Sequence, residues 1–153
     1  MNLYHALLRT HQATYVHTDG LLGHKLLLGR PTLLLRTTGK RTGIERTTAL
    51  IYARDGDRYL VVASNGGSPL APSWLVNLKA HPDCEIQVAR HRIPATARVI
   101  PPADDHYPRY WGIVNAVNND RYTAYQNATS RRIPVVELTR LSRNTAGNAP
   151  GGF

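Results

Sequence analysis

Cysteine is almost missing: Cys84 is the single thiol among 153 residues. One thiol closes no internal disulfide and builds no thiolate cluster, so a stapled fold and a thiolate metal centre are both excluded. Long apolar runs are missing too. Stretches such as Leu33–Leu35 and Leu60–Ala63 fall far short of the roughly 20 residues a bilayer-spanning helix needs. Acidic residues are scarce, ten Asp and Glu against nineteen Lys and Arg, for a formal net charge of +9. That balance attracts anions, and nucleic acid, an acidic membrane surface and a phosphate-bearing small molecule all compete for it.

Several signatures that would narrow the choice are absent. There is no GxxxxGK[ST], and no GxGxxG opens a helix after a strand. His5, His11, His17, His24, His81, His91 and His106 are scattered without HExxH or paired-ligand spacing, so no metal site is expected. No GxSxG elbow supports a Ser/His/Asp triad. Without a zinc-finger, RNP or basic-helix signature, no nucleic-acid partner is expected. The opening MNLYHALLRTHQATYV lacks the basic, apolar and small-residue regions of a secretory signal, so the cytoplasm is the expected location.

The most informative segment present is RTTGKRTGIER, residues 36–46. Its Arg36, Lys40, Arg41 and Arg46 are offset locally only by Glu45, while Gly39 and Gly43 give backbone freedom and Thr37, Thr38 and Thr42 offer hydroxyls. Arginine grips phosphate through a planar fork. Taken alone, the segment reads either as a phosphate cradle or as a solvated basic hairpin loop.

Around that turn, 153 residues suit one domain. Leu3, Leu7, Leu8, Ala13 and Val16 predict an amphipathic helix, with a connection completing residues 1–30. A barrel domain is expected over 31–140 and a mobile tail over 141–153. Strands are predicted from Pro31 to Thr37 and from Arg46 to Arg54, and Asp55-Gly56 predicts a hairpin pairing Thr47–Ala53 with Tyr59–Ser64. SWLVNLKAHP reads as a short helix with Ser73 as N-cap, stopping before Pro82. Ile86, Val88, Ile93, Ala95, Ala97 and Val99 alternate as a second hairpin. PADDHYPRYWGIVNAV reads as a helix kinked or restarted at Pro108, DRYTAYQNA as another and RIPVVELTR as the last strand. Strands without regularly alternating helices predict a mostly β, antiparallel barrel with α decoration and exclude a doubly wound parallel sheet.

TTGKRTGIERTTALIY, DGDRYLVVASNGG, PSWLVNLKAHPDCEIQV and RRIPVVEL occur in one order at close spacing. Together they resemble the deazaflavin-dependent nitroreductase family, small single-domain proteins that bind coenzyme F420 in a split β-barrel related to that of FMN-binding proteins. The likeness runs from about Pro31 to Leu138 and rests on the joint TTGxxTGxxR turn, ASNGG loop and PxWxxNLxxxP helix. It implies hydride transfer from reduced deazaflavin to a quinone or activated nitroaromatic.

By this resemblance Lys40, Arg41, Thr42 and Arg46 line the cofactor's phosphate end, and Thr47, Thr48, Ala49, Leu50 and Ile51 run along the ring. Val62, Ala63, Ser64 and Asn65, with Ser73, Trp74 and Asn77, complete the implied contacts. Ser64, Tyr122 and Tyr125 are the candidates on the acceptor side. Tyr107 with Tyr110, and Tyr122 with Tyr125, are spaced i, i+3 to share a helix face, as packing or as a roof over the pocket. The chain departs from the family pattern at Asn65, often Lys, at Asn118 and Asn119, where a tyrosine is expected, and at Ala128, where a tryptophan is. Homodimerisation and peripheral membrane contact also fit the resemblance and the basic surface. The competing readings are an FMN-binding oxidoreductase on the same barrel and a non-catalytic basic binder of nucleic acid or acidic lipid.

Overall fold

The computed structural model of the chain describes residues 29–142. The helix expected over Leu3–Val16 and the tail beyond Ser142 lie outside these residues. Strands β1 (Thr32–Thr38), β2 (Glu45–Ile51), β3 (Ala53–Asp55) and β4 (Arg58–Val62) come first. A 3-10 turn (Asn65–Gly67) and helix α1 (Ser73–Ala80) follow. Next are β5 (Asp83–Val88), β6 (His91–Ile100), α2 (Tyr107–Val117), α3 (Arg121–Asn127) and β7 (Val135–Arg140).

The strands form one seven-stranded antiparallel sheet in the order β2-β1-β5-β6-β7-β4-β3. β2 and β3 are its two edges, yet only Tyr52 separates them in sequence. One residue spans about 3.5 Å, so the two edges meet and the sheet curls into an open barrel. The Tyr52 N–H donates to the Pro31 carbonyl at 3.1 Å, tying this corner to the start of β1.

That corner corrects the expected hairpin. Asp55-Gly56 does make the turn, but it pairs only Ala53–Asp55 with Leu60–Arg58. Residues 45–51 pair instead with β1, from Thr38↔Glu45 to Thr32↔Ile51. The reason lies in β1, whose TLLLRTT is buried on both faces and must be flanked on both sides. β2 supplies one flank and β5 the other.

Period-two alternation along β4 and β7 divides the core. Tyr59, Val61, Val136 and Leu138 pack with Leu33, Leu35 and Ile86 beneath Trp74, Leu75 and Leu78 of α1. Leu60, Val62 and Val135 face the other way, against Tyr110, Val114 and Tyr122 of α2 and α3. One helix start differs from expectation, and another follows the restart alternative at Pro108. Pro72, not Ser73, is the N-cap of α1, its carbonyl accepting from Leu75 N–H at 3.1 Å. Pro108 sits in the first turn of α2, where a missing N–H costs nothing, so the helix begins there rather than kinking.

Tyr107 and Tyr110 do not form a shared roof. Tyr107 stacks on Trp111 with ring centroids 5.4 Å apart and donates to the Ile133 carbonyl at 2.7 Å. Tyr110 is fully buried and donates to Glu137 Oε2 at 2.6 Å. Burial pushes the Tyr107 hydroxyl up to about 12, against a lowering pull from Arg132, and burial also raises Tyr110 and Tyr52. A phenol held above its unfolded value of about 10 contributes stability that is complete below that pH and is lost as pH rises through the folded value. Stability should therefore fall between about pH 10 and 12, and Tyr107→Phe should make that fall shallower in urea-denaturation midpoints. An unchanged slope would remove Tyr107 as a contributor.

Candidate active site

The basic segment is the connection between β1 and β2. Gly39 N–H donates to the Ile44 carbonyl at 2.8 Å and Gly43 N–H to the Gly39 carbonyl at 3.0 Å, closing a compact turn. Gly43 has φ +67°, which side-chain-bearing residues rarely adopt. A Cβ on Gly39 would lie 2.6 Å from Thr42 Oγ1, the atom that accepts from Ile44 N–H at 3.2 Å. The glycines therefore hold the turn's shape, leaving Lys40, Arg41 and Arg46 exposed on it. Among the described residues these three make no ion pair. Arg36 leaves the cluster: it is 7 % exposed and donates to Gln87 Oε1 at 2.7 Å and Glu85 Oε1 at 3.3 Å.

Helix α1 faces this turn. Asn77, 8 % exposed, accepts from Lys40 N–H at 3.0 Å and donates to Thr37 Oγ1 at 3.2 Å. One amide thus fastens the turn to the helix. Between them opens a cleft of about 880 Å³. Lys40, Arg41, Thr42 and Arg46 line its charged end, Thr47 and Thr48 its floor, and Ser73, Trp74 and Asn77 the helix side. Trp74 belongs to the main core cluster as well as to the cleft lining. Gly39 of the basic turn lines the cleft too, as do Ala71 and Val76, which no sequence signal set apart. Ile44, Leu70 and Val76, apolar yet 56, 72 and 40 % exposed, lie in or beside its lining segments.

The remaining predicted positions fall outside this cleft lining. Ala49 is buried beside Leu34, Leu50 packs on the main core and Ile51 is half-buried. Val62, Ala63 and Ser64 are buried, and Asn65 is half-buried with φ +46°. Asn65 donates through Nδ2 to the Leu70 carbonyl at 2.9 Å, closing its own loop. Tyr122 packs with Val62 in the second core, 6.4 Å from both the Trp111 and Tyr125 rings by centroid.

Arg131 joins the loop and α3, and no feature of its residue type announced it. Its Nε donates to Ser68 O at 3.2 Å, Nη1 to Ala63 O at 3.1 Å and Nη2 to Ser64 O at 2.9 Å. Desolvation holds its pKa below the usual arginine value. Its neighbour Arg132 is exposed. Asn118 is buried at 2 % exposure and Asn119 turns left-handed at φ +57° in the α2–α3 connection. Cys84 is half-buried, and burial, with Asp83 adding to it, pushes its thiol up to about 12.

This architecture and its sequence have known relatives. A family model described as F420H2-dependent quinone reductase matches residues 7–140. An F420H2-dependent quinone reductase of Mycobacterium tuberculosis is 55 % identical over 134 residues, 88 % of this chain and 90 % of the relative. A solved F420-H2 dependent reductase is 34 % identical with TM-score 0.64, covering 71 % of this chain and 94 % of its own. A second structure, described as a domain-swapped dimer, is 30 % identical with TM-score 0.66, covering 88 % of this chain and 98 % of its own. On these matches the chain belongs to the F420H2-dependent quinone reductase family.

Proposed function

We propose that this chain reduces a quinone with electrons from coenzyme F420, whose phosphate is held at the Gly39–Arg46 turn. The observation that carries this reading is the cleft itself: three cations that make no ion pair among the described residues at one end, and a Trp74 wall with Thr47 and Thr48 along the rest. The fit is chemical as well as spatial. A volume of about 880 Å³ suits a large cofactor, and its charged and apolar ends match a phosphate with an acidic tail and a flat ring. Gly39 keeps that end open, because a side chain there would displace Thr42.

When bound, the reduced deazaflavin supplies a hydride, and a proton from water or a nearby hydroxyl completes two-electron reduction of the acceptor. The chain's own residues bind and orient. Asn77 sets the turn by holding the Lys40 amide, so the cations arrive preorganised. Ser64, Tyr122 and Tyr125 are the acceptor-side groups of this reading. Ser64 and Tyr122 present hydroxyls to the acceptor oxygen, and the tyrosine rings give flat walls for a quinone or an activated nitroaromatic. Tyr122→Phe is expected to lower kcat/KM for menadione about tenfold while leaving F420 affinity unchanged. Steady-state kinetics with unaltered menadione turnover would remove the hydroxyl from the reaction.

Fluorescence titration with oxidised F420 beside flavin mononucleotide, at two salt concentrations, tests the cofactor. Saturable preference for F420 followed by menadione turnover is expected; preference for the flavin would overturn the reading.

Among the described residues no helix is long and apolar enough to cross a membrane. The exposed Ile44, Leu70 and Val76, close in sequence to Lys40, Arg41, Arg46 and Lys79, support a peripheral contact with anionic bilayer beside the cleft. Co-sedimentation with phosphatidylglycerol vesicles should be lost in an Ile44→Ser, Leu70→Ser variant that still melts cooperatively. Binding unchanged by that pair would refute the contact. A homodimer is proposed from the swapped dimer of the 30 % identical relative, and sedimentation equilibrium showing only a 17.0 kDa species would refute it.

A further inference from the structure

Among the described cations, Arg131 alone sends three side-chain donors to backbone carbonyls. Among the described residues it pairs with no carboxylate; its guanidinium donates to backbone carbonyls of one loop, those of Ala63, Ser64 and Ser68. A guanidinium is planar and rigid, so gripping three carbonyls fixes their relative directions as an ammonium cannot. With those carbonyls turned to Arg131, the N–H groups of Ser64, Asn65 and Gly66 have no acceptor among the described residues.

The arginine is itself held from α3. Gln126 Nε2 donates to the Arg131 carbonyl at 2.7 Å, Gln126 Oε1 accepts from Ile133 N–H at 2.9 Å, and Arg131 N–H donates to Thr129 Oγ1 at 3.2 Å. A second contact joins the same two segments. Gly67, at φ +80°, lies so near α3 that a Cβ would be 3.0 Å from the Tyr125 carbonyl. The loop carrying Ser64 and Asn65 and the helix carrying Tyr122 and Tyr125 are therefore fastened twice, once by backbone approach and once through Arg131.

Resting on the F420 reading above, we propose that Arg131 is a positioning residue for the reduction: it fastens the Ala63–Ser68 loop to α3, so that Ser64 and the tyrosines Tyr122 and Tyr125 keep one fixed arrangement around the reacting groups. It touches neither cofactor nor acceptor. Its effect is on alignment, where a displacement of about 1 Å can cost about 100-fold in rate.

The test uses Arg131→Lys and Arg131→Ala in the full chain. Arg131→Lys should melt cooperatively and bind F420 within about threefold of wild type, because the Gly39–Arg46 turn is untouched. Its kcat with menadione should fall about 10- to 100-fold, and amide hydrogen exchange at Gly67 and Ser68, whose N–H groups donate to the Ser64 and Asn65 carbonyls within the loop, should quicken. Added guanidinium ion should restore part of the turnover of Arg131→Ala and none of that of Arg131→Lys. If the alanine variant does not fold, Arg131→Lys decides alone. A folded Arg131→Lys with kcat within twofold of wild type, or with unchanged loop exchange, overturns the proposal. Wild-type protein without saturable F420 affinity overturns the cofactor reading and this proposal together, whereas wild-type affinity with undiminished Arg131→Lys turnover overturns this proposal alone.

Discussion

The Lys40→Ala, Arg46→Ala variant is expected to bind F420 about 100-fold more weakly than wild type, with its fold intact. Both side chains line the charged end of the cleft, and neither makes an ion pair among the described residues. Removing them should leave no buried charge behind, so the loss falls on binding rather than on stability. A charge-assisted hydrogen bond contributes about 1.5–3 kcal/mol, and the lower figure suits groups this open to solvent. Two such losses give roughly the stated factor, since each 1.4 kcal/mol is tenfold. The salt dependence of binding should shrink in parallel, because fewer cations remain to be screened. Fluorescence titration at low and high salt measures both quantities. Affinity within threefold of wild type at low salt would place the phosphate elsewhere on the chain.

The largest expected effect on stability belongs to Tyr110. Its ring is fully buried in the second core, and its hydroxyl is 2.6 Å from Glu137 Oε2 in the middle of β7. Arg98 and Arg58 also approach that oxygen, at 3.4 and 3.7 Å, but both are about half exposed. Tyr110→Ala opens a cavity costing about 3–5 kcal/mol and takes from a buried carboxylate its one buried donor. Against a total stability of about 5–15 kcal/mol, that loss is a large fraction, and the urea midpoint should fall steeply. Tyr110→Phe keeps the packing and gives up only the hydroxyl's hydrogen bonds, the one it donates to Glu137 and the one it accepts from Arg58 Nη1 at 3.3 Å, so a loss of about 1–3 kcal/mol is expected. Urea denaturation of the pair separates ring from hydroxyl. Equal losses in the two variants would show that the hydroxyl, not the volume, sets the cost.

Most strands were legible because their side chains alternate over several residues. β5 and β6 follow from Ile86, Val88, Ile93 and Ala95, and they pair in that register. The basic turn was legible because Gly39, Gly43 and three cations crowd into a few residues. Partner choice was not. Asp55-Gly56 marks a turn correctly, but which strand Thr47–Ile51 lies beside depends on the two-sided burial of β1, a property of the whole sheet. Arg131 was illegible for a similar reason. It and Arg132 are the same residue type side by side, and only tertiary structure sends one to three carbonyls and leaves the other exposed. Tyr110 and Tyr107 share their spacing with a possible pocket roof, yet the hydroxyl partners Glu137 and Ile133 commit both to structure.

The strand order also fixes when the protein can finish folding. Among the described strands, β7 comes last, lies between β6 and β4 and is the sole ladder joining the β2-β1-β5-β6 half to the β4-β3 hairpin. A nascent chain that has emerged only as far as residue 134 holds two sheet fragments, each with an unpaired apolar edge where β7 belongs. Synthesis must therefore reach Arg140 and clear the ribosome before either fragment is covered, and during that interval the exposed edges are open to pairing with another chain.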